Sequence, residues 1–231
     1  MCGRYVLRSP PERLREQFAA EFDAPPAHWV PRYNVAPLQF APVLHAVDGH
    51  RRIEPMRWGL VPSWAGDAAI AARLINARAE TASTKPSFRA AYKARRCIVP
   101  ADGFYEWQPR DGFKQPFYLS RRDGRLLALA GLWEHWSRPP QPPLLTFTVL
   151  TTEANAWMRP LHERMPVMLA DDAACAVWLD PASRADAVAA LLGAAPEDAL
   201  QAWEVDRAVG NARRDDAALV EALAGAPAYS G

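Results

Sequence analysis

Cysteine is scarce in this 231-residue chain, and so are lysine and histidine. Its three cysteines, Cys2, Cys97 and Cys175, cannot all pair within one chain, and no two share C-x-x-C spacing, which argues against a disulfide framework and a zinc ribbon alike. The five histidines are scattered, so no metal and no other cofactor is expected. No apolar run is long enough to span a bilayer, and no basic region followed by an apolar stretch opens the chain. A reducing, cytoplasmic setting is therefore expected. A net charge of +1 gives no overall polyanion signal. Within the 27 basic residues, however, only Lys85, Lys93 and Lys114 are lysines. Arginine forks match phosphate bidentately, although a codon bias that also enriches alanine and proline is the simpler account of the excess.

What is present suits a globular protein: 50% of residues are apolar and 23% charged. A single domain of this length buries roughly 70–75% of the surface its unfolded chain exposes, so it needs no covalent staples. "SPPERLREQFAAEF" predicts an amphipathic helix capped by Ser9, with Leu14, Phe18 and Phe22 every four residues. The prolines of "APPAHWVPRYNVAP" predict a loop without regular elements, followed by strands at 38–47 and 51–58. Trp58 and Trp64 in "RWGLVPSWAGD" read as exposed. Ser83 or Thr84 ahead of Pro86 reads as a helix start, with Asn76 and Arg78 on a strand end or loop before it. "RRCIVPADGFYEWQ" reads as two strands broken at Asp102-Gly103, and "PFYLSRRDGRLLALAGLWEHW" as a hairpin closed at Asp123-Gly124. A strand at 144–152 precedes two short helices, "DDAACAVWL" and "SRADAVAALLG", and a strand in "WEVDRAVG". The pattern predicts one α+β domain over 1–222, a curved, barrel-like, mostly antiparallel sheet flanked by helices, with a loose tail at 223–231.

Chemistry concentrates at few positions. In "MCGRY", removal of Met1 would leave Cys2 with a free amine of pKa about 7.7–8.0 beside a thiol of pKa about 8.5. An aldehyde meeting that pair forms an imine with the nitrogen, and the sulfur closes on the imine carbon to give a five-membered thiazolidine. Ring closure of this kind reaches effective molarities of about 10⁵ M or more. Alternatively, Cys2 is merely a small residue at a frayed end. Glu106 in "GFYEW" sits among aromatics, with Phe104 and Gln108 on its side of the strand and Tyr105 and Trp107 on the other. Such a setting raises a carboxyl pKa toward neutrality and suits proton transfer, unless the position simply faces solvent. His162 and Arg164 in "RPLHERMPV", and Asn76 and Arg78 in "NARAE", are candidates for alkoxide and phosphate contacts, or else ordinary loop and surface polarity such as a Glu163–Arg164 ion pair.

In order along the chain stand "MCGRY", "RYNVAP", "RWGLVPSW", "INARAET", "CIVPADGFYEW", "LHERMPV" and "DRAVGN". From residue 2 to about 211 this succession resembles the SRAP family, abasic-site-processing proteins also called SOS-response-associated peptidases. The resemblance implies an SRAP-like fold and a DNA damage response protein, monomeric and cytoplasmic, nucleoid-associated when on DNA. It implies binding to single-stranded DNA and covalent capture of abasic sites through mature Cys2, with no metal or cofactor. By the same likeness Cys2 is the nucleophile and Glu106 the acid/base group, Asn76 and His162 hold sugar oxygens, Arg4, Arg78 and Arg164 contact phosphates, and Trp64 packs against bases. Self-removal of Met1 and reversal of the crosslink belong to the same expectation. The alanine-rich "AGDAAIAARL" departs from the aromatic or charged character expected there.

Three other readings compete. A cysteine peptidase would use Cys2 with His162 and require an oxyanion hole. An amino-terminal-nucleophile glutamine amidohydrolase also begins Met-Cys-Gly but carries an "RGPD"-like segment, which this chain lacks. A plain single-strand-binding module would keep its affinity without Cys2 and would release DNA in denaturant.

Overall fold

The computed structural model describes residues 2–24, 28–226 and 229–231. Its first elements are β1 (Tyr5–Leu7), helix α1 (Pro11–Phe18), β2 (Glu21–Phe22), β3 (Arg32–Val35), β4 (Phe40–Val47) and β5 (His50–Trp58). There follow β6 (Asn76–Arg78), α2 (Ala79–Ala82), α3 (Arg89–Ala94), β7 (Arg96–Ala101), β8 (Gly103–Arg110), β9 (Phe113–Arg121) and β10 (Leu127–Trp136). The last are β11 (Leu144–Glu153), β12 (Arg164–Pro166), α4 (Asp172–Leu179), α5 (Ala185–Ala190) and β13 (Leu200–Glu204).

Strands β5, β4, β7, β10 and β11 pair antiparallel in that order, and a short parallel pairing of Thr146 and Phe147 with Arg57 and Trp58 closes them into a barrel. Closure leaves these strands few open edges. The barrel wall is rich in β-branched and aromatic residues, and Val43, Ile53, Met56, Trp58, Ile98, Leu132, Phe147 and Val149 are all buried. Every residue of β7 is buried, because α4 covers its outer face and Trp178 donates its indole N–H to the Cys97 carbonyl at 2.8 Å. Arg96 ties the two helices to this wall: its guanidinium donates to the Tyr92 carbonyl at the end of α3 and to the Trp178 carbonyl at the end of α4. A second sheet, ordered β13-β9-β8-β1-β3, lies beside the barrel.

The chain crosses between the two sheets at Asp102. That residue accepts from the backbone N–H groups of Arg8 and Ser9 and from the Ser9 hydroxyl, anchoring the chain that follows β1. At Gly103 a Cβ would lie 2.4 Å from the Leu119 carbonyl oxygen and 2.5 Å from the Tyr118 ring, so only glycine permits the crossing.

The mixed α+β barrel agrees with the sequence reading, as do β4, β5, β7, β8 and β11. Several local expectations are corrected. Ser9 does not cap α1: the cap position is Pro10, and the Ser9 hydroxyl is committed to Asp102. The helix stops at Phe18, where Ala19 turns left-handed, and Phe22 joins β2 against β5 instead of extending the helical stripe. "RYNV" is strand β3 despite the flanking prolines, because β1 supplies an edge for it, while Pro25, Pro26 and Ala27 lie outside the described residues. The helix expected to start at Ser83 or Thr84 begins only at Arg89, as α3; Ser83 instead ends the short α2, which starts directly after Arg78. β9 and β10 form no hairpin: β9 pairs with β8 and β13, β10 with β7 and β11, so the Asp123-Gly124 turn passes the chain from one sheet to the other. In the last third, strand β13 ends at Glu204, and residues 207–210 of "DRAVGN" form a 3-10 turn. In the segment beyond residue 222, Tyr229 donates its hydroxyl to the Trp157 carbonyl at 3.0 Å and packs edge-on against Phe117.

Candidate active site

Cys2 leads into β1, and β1 lies antiparallel to β8 with Tyr5 opposite Phe104. The pairing continues outward through a 3.0 Å bond from the Tyr105 N–H to the Arg4 carbonyl, so Glu106 falls beside the residues immediately before β1. Local sequence accounts for the side-chain directions. Alternation along β8 turns Tyr105 toward the cluster around Val6 and Tyr118, while Phe104 joins the main core. Glu106 therefore points into the buried ground between the two sheets, and it is 1% exposed.

Opposite it, β6 runs parallel to β11 with Asn76 at the level of Val149. Asn76 donates its amide to the Cys2 carbonyl at 3.0 Å, while its Oδ1 is buried and accepts no hydrogen bond from any described residue. An acceptor left dry in this way costs about 1–3 kcal/mol, which a hydroxyl donor would restore. Beneath the site Tyr5 leans on Trp58 with ring centroids 5.3 Å apart, and Trp58 stacks on Phe147. Trp58 is fully buried, against the sequence expectation, because it closes the barrel wall at the parallel pairing.

The electrostatics follow from burial. Cys2 is fully buried, and desolvation pushes its thiol far above the usual range, with the Glu106 carboxylate adding to the rise. Burial also lifts the Glu106 carboxyl from 4.5 to about 7. His162 sits just before β12 and is held below its ordinary value by burial first and by neighbouring positive charge, including Lys114. Its Nδ1 lies 2.9 Å from the Arg164 backbone nitrogen and 3.2 Å from the Arg164 carbonyl oxygen; a backbone N–H can only donate, so the shorter contact favours Nδ1 as acceptor and the neutral ring with its proton on Nε2.

Arg164 itself is buried. Its guanidinium makes a two-pronged pair with Glu80 at 2.7 and 2.8 Å and donates to the Thr151 carbonyl at 2.6 Å. With Arg78, Arg159, Glu153 and Glu163 it lines an open cleft of about 310 Å³. Arg78 is exposed at the end of β6. Arg4 is half-buried and reaches toward the Val209 carbonyl, which Asn34 also holds. Trp64 lies farther out, 56% exposed, with its indole N–H toward the Pro86 carbonyl. Fold and contacts thus bring Cys2, Asn76 and Glu106 together, join His162 to Arg164, and leave Trp64 and Arg78 as outer features.

Within "AGDAAIAARL" one alanine, Ala71, sits at a close contact. Residues Ala68–Arg73 form a 3-10 turn pressed so closely on Gly59 that a Cβ there would meet the Ala71 carbonyl at 2.6 Å. Ala71 is fully buried there, whereas Ala69 and Ala72 are exposed. Glu80, Lys114 and Arg159 were not singled out by sequence reasoning. Glu80 stands inside the "INARAET" motif, and that position was the one available signal. Among the described residues no group of three or more His, Cys, Asp or Glu is placed to hold a metal ion, and no helix is long and apolar enough to cross a membrane.

A barrel with an attached sheet, and a buried cysteine next to the chain's start held between an asparagine and a carboxyl, mark a particular class of protein. The model of the SOS response associated peptidase (SRAP) family matches residues 1–212, and the chain belongs to that family. It is 40% identical over 223 residues to the abasic site processing protein YoqW of Bacillus subtilis, covering 96% of this chain and 99% of that one. It is 34% identical over 208 residues to the abasic site processing protein HMCES of Gallus gallus, covering 77% of this chain and 59% of that one. A solved structure from Bacteroides thetaiotaomicron superposes with a TM-score of 0.87 at 23% identity, over 96% of this chain and all of that one, and shows the shared fold. One from Bordetella bronchiseptica superposes at 0.76 with 30% identity, over 89% of this chain and all of that one.

Proposed function

We propose that this protein captures abasic sites in single-stranded DNA through a covalent thiazolidine at Cys2, after Met1 has been removed. The observation that carries the reading is the buried meeting of Cys2 with Asn76 and with a carboxyl whose pKa is about 7. Membership of the family and the names of the Bacillus and chicken relatives support the substrate.

The abasic deoxyribose opens to an aldehyde. The Cys2 nitrogen adds to that carbon, and the resulting hemiaminal loses water to give an imine. The thiol then adds to the imine carbon; a proton leaves sulfur and one is gained by nitrogen, so the whole sequence releases one water. A thiol held protonated by burial is a poor opening nucleophile, which favours nitrogen attack first. Glu106 is balanced near neutrality to take protons from nitrogen and sulfur and to return one to the departing water. The Nε2–H of His162 and the free Oδ1 of Asn76 suit the sugar oxygens as donor and acceptor. Arg4 and Arg78 serve the phosphates, and Trp64 offers an aromatic face to a base. Run backward through Glu106, the same steps release the DNA.

The test is mature protein mixed with single-stranded DNA carrying one abasic site, read by denaturing gel and by mass spectrometry. The expected product survives denaturant, and its mass equals protein without Met1 plus DNA less one water. Cys2→Ala should give none. Undiminished adduct from Cys2→Ala, or full reactivity of protein that retains Met1, would overturn the proposal.

A further inference from the structure

We infer that Glu80 is a positioning residue for the His162 ring, acting through Arg164. This rests on the proposed chemistry at Cys2, and the observations behind it are geometric. Three segments distant in sequence meet at Thr151 of β11. On that strand Arg78 of β6 and Pro166 of β12 are both partners of Thr151. Arg164 opens β12 opposite Glu153 at the end of the β11–β12 ladder, and β6 and β12 are each three residues long, so few main-chain bonds hold either strand.

Glu80 adds a side-chain tie. Rising from the first turn of α2, two residues after Arg78, its carboxylate takes both prongs of the Arg164 guanidinium at 2.7 and 2.8 Å. The same guanidinium reaches the Thr151 carbonyl at 2.6 Å, so one arginine ties α2, β11 and β12 together. Arg164 is 8% exposed while Glu80 is exposed, its side chain by 44%, so removing the carboxylate would leave a buried cation without its partner. The cation in turn holds the Glu80 carboxyl below its ordinary value, by hydrogen bonding first.

The consequence reaches His162 through the Arg164 main chain. The N–H that biases the ring tautomer, 2.9 Å from Nδ1, belongs to the residue whose side chain Glu80 clamps. With the clamp in place, that N–H points at Nδ1 and the ring presents Nε2–H. Without it, only the end of the ladder, where Arg164 pairs with Glu153, holds that N–H in place; as that end loosens, the Arg164 carbonyl, already 3.2 Å from Nδ1, competes for the ring, and the tautomer with Nδ1 protonated gains population. An Nε2 without its proton can no longer donate to a sugar oxygen. The clamp also commits both terminal nitrogens of Arg164 to protein, which gives this arginine a structural task beside any phosphate contact.

The test uses full-length Glu80→Ala and Glu80→Gln beside wild type. Two readouts are made on each: the ¹⁵N–¹H correlation pattern of the His162 ring, which separates the tautomers, and single-turnover adduct formation with DNA binding measured independently. Glu80→Ala should move the ring from the Nε2–H form to a mixture. It should slow adduct formation about tenfold, which is about 1.4 kcal/mol in the barrier. Affinity for intact single-stranded DNA should change less than threefold. Glu80→Gln keeps one accepting oxygen and should recover part of both losses. A His162 pattern identical to wild type in Glu80→Ala, or a loss confined to DNA affinity, would overturn the inference. Failure of wild type itself to form adduct would instead refute the chemistry at Cys2, so the two failures are told apart.

Discussion

Replacing Glu106 by glutamine should make the protein more stable and less active, and the gain should depend on pH in a defined way. Burial raises this carboxyl from 4.5 to about 7. Each pH unit between folded and unfolded pKa values is worth about 1.4 kcal/mol, so ionised Glu106 costs the fold roughly 3 kcal/mol relative to its neutral form. Below pH 4.5 both states hold the proton and no cost exists. Between 4.5 and about 7 the unfolded chain has released it and the folded one has not, so the contribution of Glu106 to stability falls as pH rises. Above that window both are ionised and the cost is complete. Glutamine has nearly the same shape and never ionises. Glu106→Gln should therefore match wild type in acid and exceed it by about 3 kcal/mol above neutrality. Urea unfolding of both proteins from acid to mildly basic pH, with the difference taken at each pH, cancels the other titrating groups. Adduct formation by the variant should drop by about 100-fold, the lower range for loss of a general acid/base. A stability difference that stays flat across pH would refute the assigned burial cost. A variant that is destabilised at every pH would show Glu106 to be a structural residue.

Other outcomes follow from the same geometry. Trp64→Ala should leave unfolding free energy within about 0.5 kcal/mol of wild type, since the ring is 56% exposed, yet weaken binding to intact single-stranded DNA about tenfold if one base stacks there. Gly103→Ala should destabilise by about 3 kcal/mol or more, because its Cβ would lie 2.4 Å from the Leu119 carbonyl oxygen; a neutral result in thermal unfolding would contradict the crossing described above. Asn34→Ala should cost about 2–3 kcal/mol in urea unfolding, as its amide serves the carbonyls of Val209, Asn211 and Arg214. Salt should weaken the reversible encounter with a log–log slope of about −0.7 per phosphate neutralised while leaving preformed adduct intact, and adduct dissolved by salt alone would not be covalent.

The sequence was most legible where a signal is local. Strands β4, β5, β7, β8 and β11 fell where the sequence placed them, β8 and β11 on runs rich in aromatic or β-branched residues, and Asp171 ahead of "DAACAVWL" marked α4, where its side chain accepts from the Ala174 N–H. It misled where a local signal serves a distant partner. Ser9 looks like a cap, yet the helix begins one residue later with Pro10 at the cap position, and the Ser9 hydroxyl donates to Asp102. Asp123-Gly124 looks like a hairpin turn, but the flanking strands find their partners in different sheets. Proline density around "RYNV" argues against a strand only when no neighbouring edge is available, and β1 is such an edge.

For the site, the side chains of Cys2, Asn76, Glu106 and His162 taken singly left bland alternatives open, and it was the ordered motifs resembling the SRAP family that nominated them together. Sequence alone also established family membership, through short motifs whose succession has no packing explanation by itself. Tertiary structure decided the rest: that Glu106 is buried enough to titrate near 7, that Trp58 lies inside while Trp64 lies outside, and that Arg164 is clamped by Glu80. Those properties depend on desolvation and on contacts between residues more than 80 positions apart for Arg164 and Glu80. No window along the chain contains both halves of such a contact, so only the closed barrel and the sheet beside it bring them into being.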